Sequence, residues 1–220
     1  MDIELTEIEV RVLAALVEKE RTTPEYYPLS LNALTNACNQ KSNREPVVHY
    51  DEKTVVRAIE NLRDKNLALM VTGMGSRVAK YKHTFARRFQ LNEKEVAVLC
   101  ILMLRGPQTV GEIRGRSSRL YDFTDLAEVS ETLDALKKRG EGAYVVQLPR
   151  QPGRKEARFA HLLSGAIAVD EEPESDNETV VNMAVHDNDQ VTKLQEEIAD
   201  LKNEVQTLRQ MFMEFKQQFE

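Results

Sequence analysis

The stretch Thr6-Glu7-Ile8-Glu9-Val10-Arg11-Val12-Leu13-Ala14-Ala15-Leu16-Val17 decides the fold. Thr6 and Glu9 form a T-x-x-E capping box, in which each side chain satisfies a backbone N–H at the helix start. Val10, Leu13, Ala14, Leu16 and Val17 follow at helical spacing, which predicts a first helix through about Glu18. The same grammar returns at Asn92-Glu93-Lys94-Glu95, ahead of Val96, Val98, Leu99, Ile101 and Leu102. One structural plan is therefore written twice.

Outward from each first helix the order is the same. In the first copy Pro24 and Pro28 break the chain and Ser30 caps a helix from Leu31 to Cys38. Asp51 caps a third helix with Val55, Ile59 and Leu62 on one face. Leu67–Val71, a Gly73-Met74-Gly75 turn and Val78–His83 read as a hairpin. In the second copy Thr109 and Glu112 cap a helix containing Ile113, and Asp125 and Glu128 open one with Leu126, Val129, Leu133 and Leu136. Tyr144–Leu148 and Arg158–Leu163 are the strands, joined by a basic loop at residues 149–155. Helix, helix, helix, hairpin is the winged helix-turn-helix plan. The expected fold is mainly α with small β-hairpin wings: one winged-helix domain at residues 1–88 and a second at 89–165. Each offers only a small core, so a large interface between them is expected.

Charge divides the 220-residue chain unevenly. Residues 1–88 carry 14 Lys/Arg against 12 Asp/Glu, residues 89–165 carry 12 against 10, and the remaining 55 carry 4 against 14. The run Asp170-Glu171-Glu172-Pro173-Glu174-Ser175-Asp176 marks an acidic linker, 166–189, too charged to build a core. From residue 190 to 220, Val191, Leu194, Ile198, Leu201, Val205, Leu208, Phe212, Phe215 and Phe219 alternate spacings of three and four. That is a heptad seam, with Val, Ile and Val at a and Leu at d, the combination that favours a parallel homodimer. Glu197 and Glu204 at g would face Lys202 and Arg209 at e of the partner helix. The competing arrangement folds this helix back on its own body.

Thr22-Thr23-Pro24-Glu25-Tyr26-Tyr27-Pro28-Leu29-Ser30 and Ala37-Cys38-Asn39-Gln40-Lys41-Ser42-Asn43-Arg44-Glu45-Pro46-Val47 resemble the signature of the YceH-like family of uncharacterised bacterial proteins. Tyr121-Asp122-Phe123-Thr124-Asp125-Leu126-Ala127-Glu128-Val129 and Leu148-Pro149-Arg150 resemble it too. The likeness covers residues 1–165 and implies a tandem winged-helix fold; it implies no activity.

Chemistry-bearing patterns are sparse. His49, His83, His161 and His186 have no Cys or carboxylate at ligand spacing, Cys38 and Cys100 sit in core-facing helices, and phosphate-loop and nucleophile-elbow motifs are missing. The expectation is a non-enzymatic protein without metal or cofactor. It is expected in the cytoplasm, because no apolar run approaches the ~20 residues a membrane span needs. The polar loop Asn39, Gln40, Lys41, Asn43, Arg44, Glu45, Pro46 is the most unusual local feature. Loop chemistry accounts for it, with Arg44 and Glu45 free to form ion pairs inside the domain; a partner or nucleic-acid contact is the alternative.

A winged helix conventionally lays its third helix in the major groove of DNA. Asp125, Glu128, Glu131 and Asp134 on the second third helix have the wrong sign for phosphates, and Lys53 and Arg57 on the first are mixed with acids. Positive charge concentrates in Arg114, Arg116 and Arg119, in Arg150, Arg154, Lys155 and Arg158 on the second wing, and in Arg77, Lys80 and Lys82 on the first. Duplex DNA gripped through its phosphates is the leading partner, with the second copy ranked ahead by its clustering. A protein partner, held by an interaction scaffold, is the alternative.

Overall fold

A computed structural model describes residues 3–72, 78–139, 142–150 and 156–165. The Gly73–Gly75 turn, Arg77, Arg154, Lys155, the linker and the heptad seam from Val191 to Phe219 lie outside the described residues.

Helix α1 (Glu7–Thr22) starts at the expected capping box: Glu9 N donates to Thr6 Oγ1 at 3.3 Å and Thr6 N to Glu9 Oε2 at 2.8 Å. Ser30 caps α2 (Leu31–Cys38) and Asp51 caps α3 (Glu52–Asp64), each accepting a backbone N–H three residues on. Strands β2 (Ala68–Val71) and β3 (Lys80–His83) pair antiparallel in the register Ala68↔His83 to Val71↔Lys80. A two-residue strand β1 (Leu29–Ser30), which periodicity could not foretell, adds to the free edge of β3, giving the order β1-β3-β2.

After the short helix α4 (Phe85–Arg88) the plan recurs in α5 (Glu93–Arg105), α6 (Val110–Ser117) and α7 (Leu126–Lys137). Strands β4 (Val145–Gln147) and β5 (Phe159–His161) then pair antiparallel. Asn92 and Thr109 complete further capping boxes, and Asp125 caps α7. Gln108 and Phe159 exchange backbone hydrogen bonds of 3.0 and 2.8 Å, so a single bridge stands where the first copy has β1. The result is a mainly helical body carrying two small antiparallel sheets.

A continuous apolar core runs through both copies. Helix α1 is buried from Glu9 through Glu18 and α5 from Glu95 through Leu104. A helix apolar on one stripe needs one neighbour, whereas one buried all round needs several. Accordingly α1 packs on α2, α3 and α5, and α5 on α1, α6 and α7. Cys100 Sγ lies 3.7 Å from the Ala14 carbonyl, and Leu5 N donates to Leu163 O at 2.8 Å, stitching the copies at both ends. Burial pushes the Cys38 thiol up to about 12 and Cys100 higher still, so neither is a thiolate near neutral pH. Replacing Asn92 with alanine removes the acceptor for Glu95 N at 3.0 Å and is expected to cost about 1 kcal/mol in urea unfolding.

Candidate functional site

The loop 39–46 follows α2 because Cys38 ends that helix and Asn39 turns the chain. Asn39 Nδ2 donates to Tyr50 O at 2.7 Å and Asn39 Oδ1 accepts from Tyr50 N at 2.8 Å, closing the loop's far end. Asn43 adopts φ 59°, a left-handed conformation asparagine tolerates better than most residues. The turn drives the next side chain inward. Arg44 donates to Glu18 Oε1 at 3.0 Å and Oε2 at 2.6 Å, to Ala37 O at 3.2 and 2.9 Å, to Asn43 O at 2.9 Å and to Gln40 Oε1 at 3.0 Å. Its side chain is 0 % exposed.

Arg44 thus forms an ion pair inside the domain, whereas Glu45 forms none with a described residue. The partner is Glu18, 26 positions back on α1, and Glu45 instead donates its backbone N–H to Leu104 O of α5 at 2.8 Å. Burial opposes ionisation of Glu18, but the hydrogen bonds and charge of Arg44, with Lys19 at 3.6 Å, outweigh it and hold the carboxyl below its usual range. Arg11, buried on α1, braces the same loop through Cys38 O at 3.3 Å and Pro46 O at 2.8 Å. Arg105, at the end of α5, reaches Asn43 Oδ1. The loop thus ties α1, α2 and α5 together. Lys41 is exposed on its rim.

The basic candidates divide by what they touch. Arg158 donates to Pro107 O at 2.7 Å and pairs with Glu112 at 3.0 Å; Arg116 lies 3.8 Å from the same carboxylate. Arg114 donates to Thr124 O at 2.9 Å. Arg114 and Arg158 of the second copy are thus engaged within the fold and Arg116 only by a long contact, while exposed Arg119 and Arg150 form no ion pair with a described residue. In the first copy Lys53 and Arg57 on α3 and Lys80 on β3 are exposed and likewise form none. Clustering in sequence ranks the second copy first; engagement in the structure favours the first.

Helix α7 differs in kind. Its exposed face carries Leu126, Ala127, Glu131, Asp134 and Ala135, with Leu126 51 % exposed. Glu128 is turned back to Lys94 at 2.6 Å and to Thr124 N at 2.8 Å, and those bonds hold its carboxyl down at about 2. Two cavities open beside α6. One, of about 310 Å³, is lined by Arg105, Arg116 and Arg119; the other, of about 430 Å³, shares Arg105 and Arg116 and adds Arg158. Arg105 is absent from the residues singled out by sequence, although it closes the apolar run of α5 immediately before Gly106-Pro107. Among the described residues no helix is long and apolar enough to cross a membrane, and no three His, Cys, Asp or Glu side chains stand together as a metal-ligand set.

These features define a class: a helical protein with two hairpin-bearing repeats fused through an arginine-clasped seam, with exposed cations on both copies and exposed Glu131 and Asp134 on α7. The chain belongs to the bacterial family described as "Protein of unknown function, DUF480", whose pattern it matches over residues 5–154, in keeping with its YceH-like signature. It is 51 % identical over 220 residues to a UPF0502 protein of Geotalea daltonii, covering all of both chains. It is 50 % identical over 212 residues to one of Solibacter usitatus, spanning 96 % of this chain and 100 % of that one. A UPF0502 protein of Photobacterium profundum is 43 % identical over 216 residues, 96 % of this chain and 97 % of its own.

Proposed function

We propose that the chain is a non-enzymatic, tandem winged-helix protein that binds duplex DNA, chiefly through phosphates, using α3 and the β2–β3 hairpin of the first copy. The observation that carries this reading is the unpaired exposure of Lys53, Arg57 and Lys80 on those two elements. Such a helix and hairpin are the parts a winged helix presents to a groove and its backbone. Asp51 and Glu52 at its start and Glu60 and Asp64 further along are also exposed on α3, so its cations Lys53, Arg57 and Arg63 alternate with acids and base readout is weak. The heptad pattern from Val191 to Phe219 supports a parallel homodimer, which would double the phosphate contacts.

The test is fluorescence anisotropy of a mixed-sequence duplex at several salt concentrations. Affinity is expected to fall steeply with salt, and Lys53→Gln with Arg57→Gln to reduce the log–log slope by about 2. Binding that ignores both salt and these substitutions removes the reading. A second reading, a protein partner on α7, is favoured by the exposed Leu126 beside Glu131 and Asp134, a face that repels DNA. It predicts a partner that survives nuclease treatment and is lost on Leu126→Asp.

A further inference from the structure

The cavity of about 310 Å³ between the end of α1, loop 39–46, the C-terminal turn of α5 and the end of α6 borders the seam, which supplies its Glu18, Asn43 and Arg105 walls, and lies outside the proposed DNA face. Three guanidinium-bearing side chains, Arg105, Arg116 and Arg119, line it. The carboxylate in its wall, Glu18, is already held by two hydrogen bonds from Arg44. Arg116 has only a 3.8 Å contact with Glu112, and Arg119 forms no ion pair with a described residue. The charge around the space is therefore net positive and incompletely answered. Burial, and then the neighbouring Arg116 and Arg44, make Arg105 hold its proton less tightly than usual, the cost of crowding like charges in partly dry surroundings. An anion there would relieve that repulsion.

The remaining walls set the size and character of the guest. Leu120 supplies partly exposed apolar surface, and the buried Ile101 and Leu104 lie beneath it as a floor. Gly115 of α6 also lines the cavity, and a Cβ built on it would meet nothing within 4 Å. Glycine inside a helix costs about 0.5–1 kcal/mol relative to alanine. A single methyl would not close the arginine-lined space; only a larger side chain at this position would reach into it. The volume falls at the small end of ordinary ligand sites.

We infer that this cavity binds a small phosphorylated organic molecule, its phosphate on Arg105, Arg116 and Arg119 and its apolar part against Leu120. Arginine forks match phosphate oxygens, and charge-assisted hydrogen bonds are the strong ones. Because the walls come from loop 39–46 of the first copy and from α5 and α6 of the second, occupancy would stiffen the seam. The inference does not depend on the DNA reading.

Calorimetric titration of the full chain with phenyl phosphate at constant ionic strength tests it. One saturable site per chain is expected, weakened about 10-fold or more by Arg116→Gln and by Arg119→Gln. Gly115→Phe fills the space without altering charge, and is expected to abolish binding while leaving the melting temperature at or above that of the native chain. Lys53→Gln with Arg57→Gln should leave phenyl phosphate binding unchanged. The inference is overturned if titration does not saturate, or if binding survives in a folded Gly115→Phe chain. It is equally overturned if Arg116→Gln and Arg119→Gln weaken a duplex oligonucleotide but not phenyl phosphate, which would make these arginines DNA contacts.

Discussion

Replacing Arg44 with methionine is expected to destabilise the protein by about 3–5 kcal/mol, measured by urea unfolding at pH 7. The methionine fills most of the volume but donates nothing, so the Glu18 carboxylate loses both its hydrogen bonds at 3.0 and 2.6 Å and stays buried. The Ala37 carbonyl and Gln40 Oε1 lose their donors as well. Most of the cost is the stranded charge rather than the worth of the pair. The double replacement Arg44→Met with Glu18→Leu should therefore recover a large part of the loss. Acid narrows the gap between Arg44→Met and the native chain. Native Glu18 stabilises above its ordinary 4.5 and that contribution is lost as pH falls through its lowered folded value; in the variant the carboxylate is a liability that protonation removes. A loss under 1 kcal/mol at pH 7 would mean that Glu18 is not buried as a charge.

The second large effect is acid sensitivity above the carboxylate range. His161 on β5 is mostly buried, and its Nδ1 has no hydrogen-bond partner among the described residues. Burial pushes its pKa from the usual 6.5 down to about 4. Between those values the unfolded chain binds a proton that the folded chain refuses, so stability falls as pH falls. The loss is expected to reach about 2 kcal/mol by pH 5 and about 3 kcal/mol by pH 4. Glu9, Glu18, Glu112 and Glu128 are all lowered, and their contributions fade only below their ordinary 4.5, leaving pH 6.5 to 5 as the window in which His161 dominates. Urea unfolding at pH 7, 6 and 5 should show this decline in the native chain and a nearly flat profile in His161→Gln. A flat native profile would contradict it.

What the sequence made legible was local. Every expected cap, at Thr6, Ser30, Asp51, Asn92, Thr109 and Asp125, lies within three residues of the N–H it satisfies, and each is present. Strand β1 was not legible because two residues carry no periodicity, and Leu29 is a strand only by virtue of Tyr81 opposite it. The Arg44–Glu18 pair was hidden by its separation, since nothing nearby distinguishes Glu18 from the other acids of α1. The fusion of the copies did have a signal. Val96 through Leu104 is nine apolar residues without a break, more than one helical stripe needs, and it announced a helix enclosed on all sides. The arginines were visible as charges but not as engaged ones: Arg158 and Arg116 meet Glu112 only because β5 returns beside α6.

The proposed DNA face lies on the first copy, not the second. Amide chemical-shift mapping of the isotope-labelled full chain on titration with a mixed-sequence duplex tests it most directly. Perturbations are expected to centre on Lys53 to Arg57 of α3 and on β2–β3 around Lys80, with α7 from Leu126 to Lys137 undisturbed. Perturbations centred on α7, or none at low salt, would contradict it.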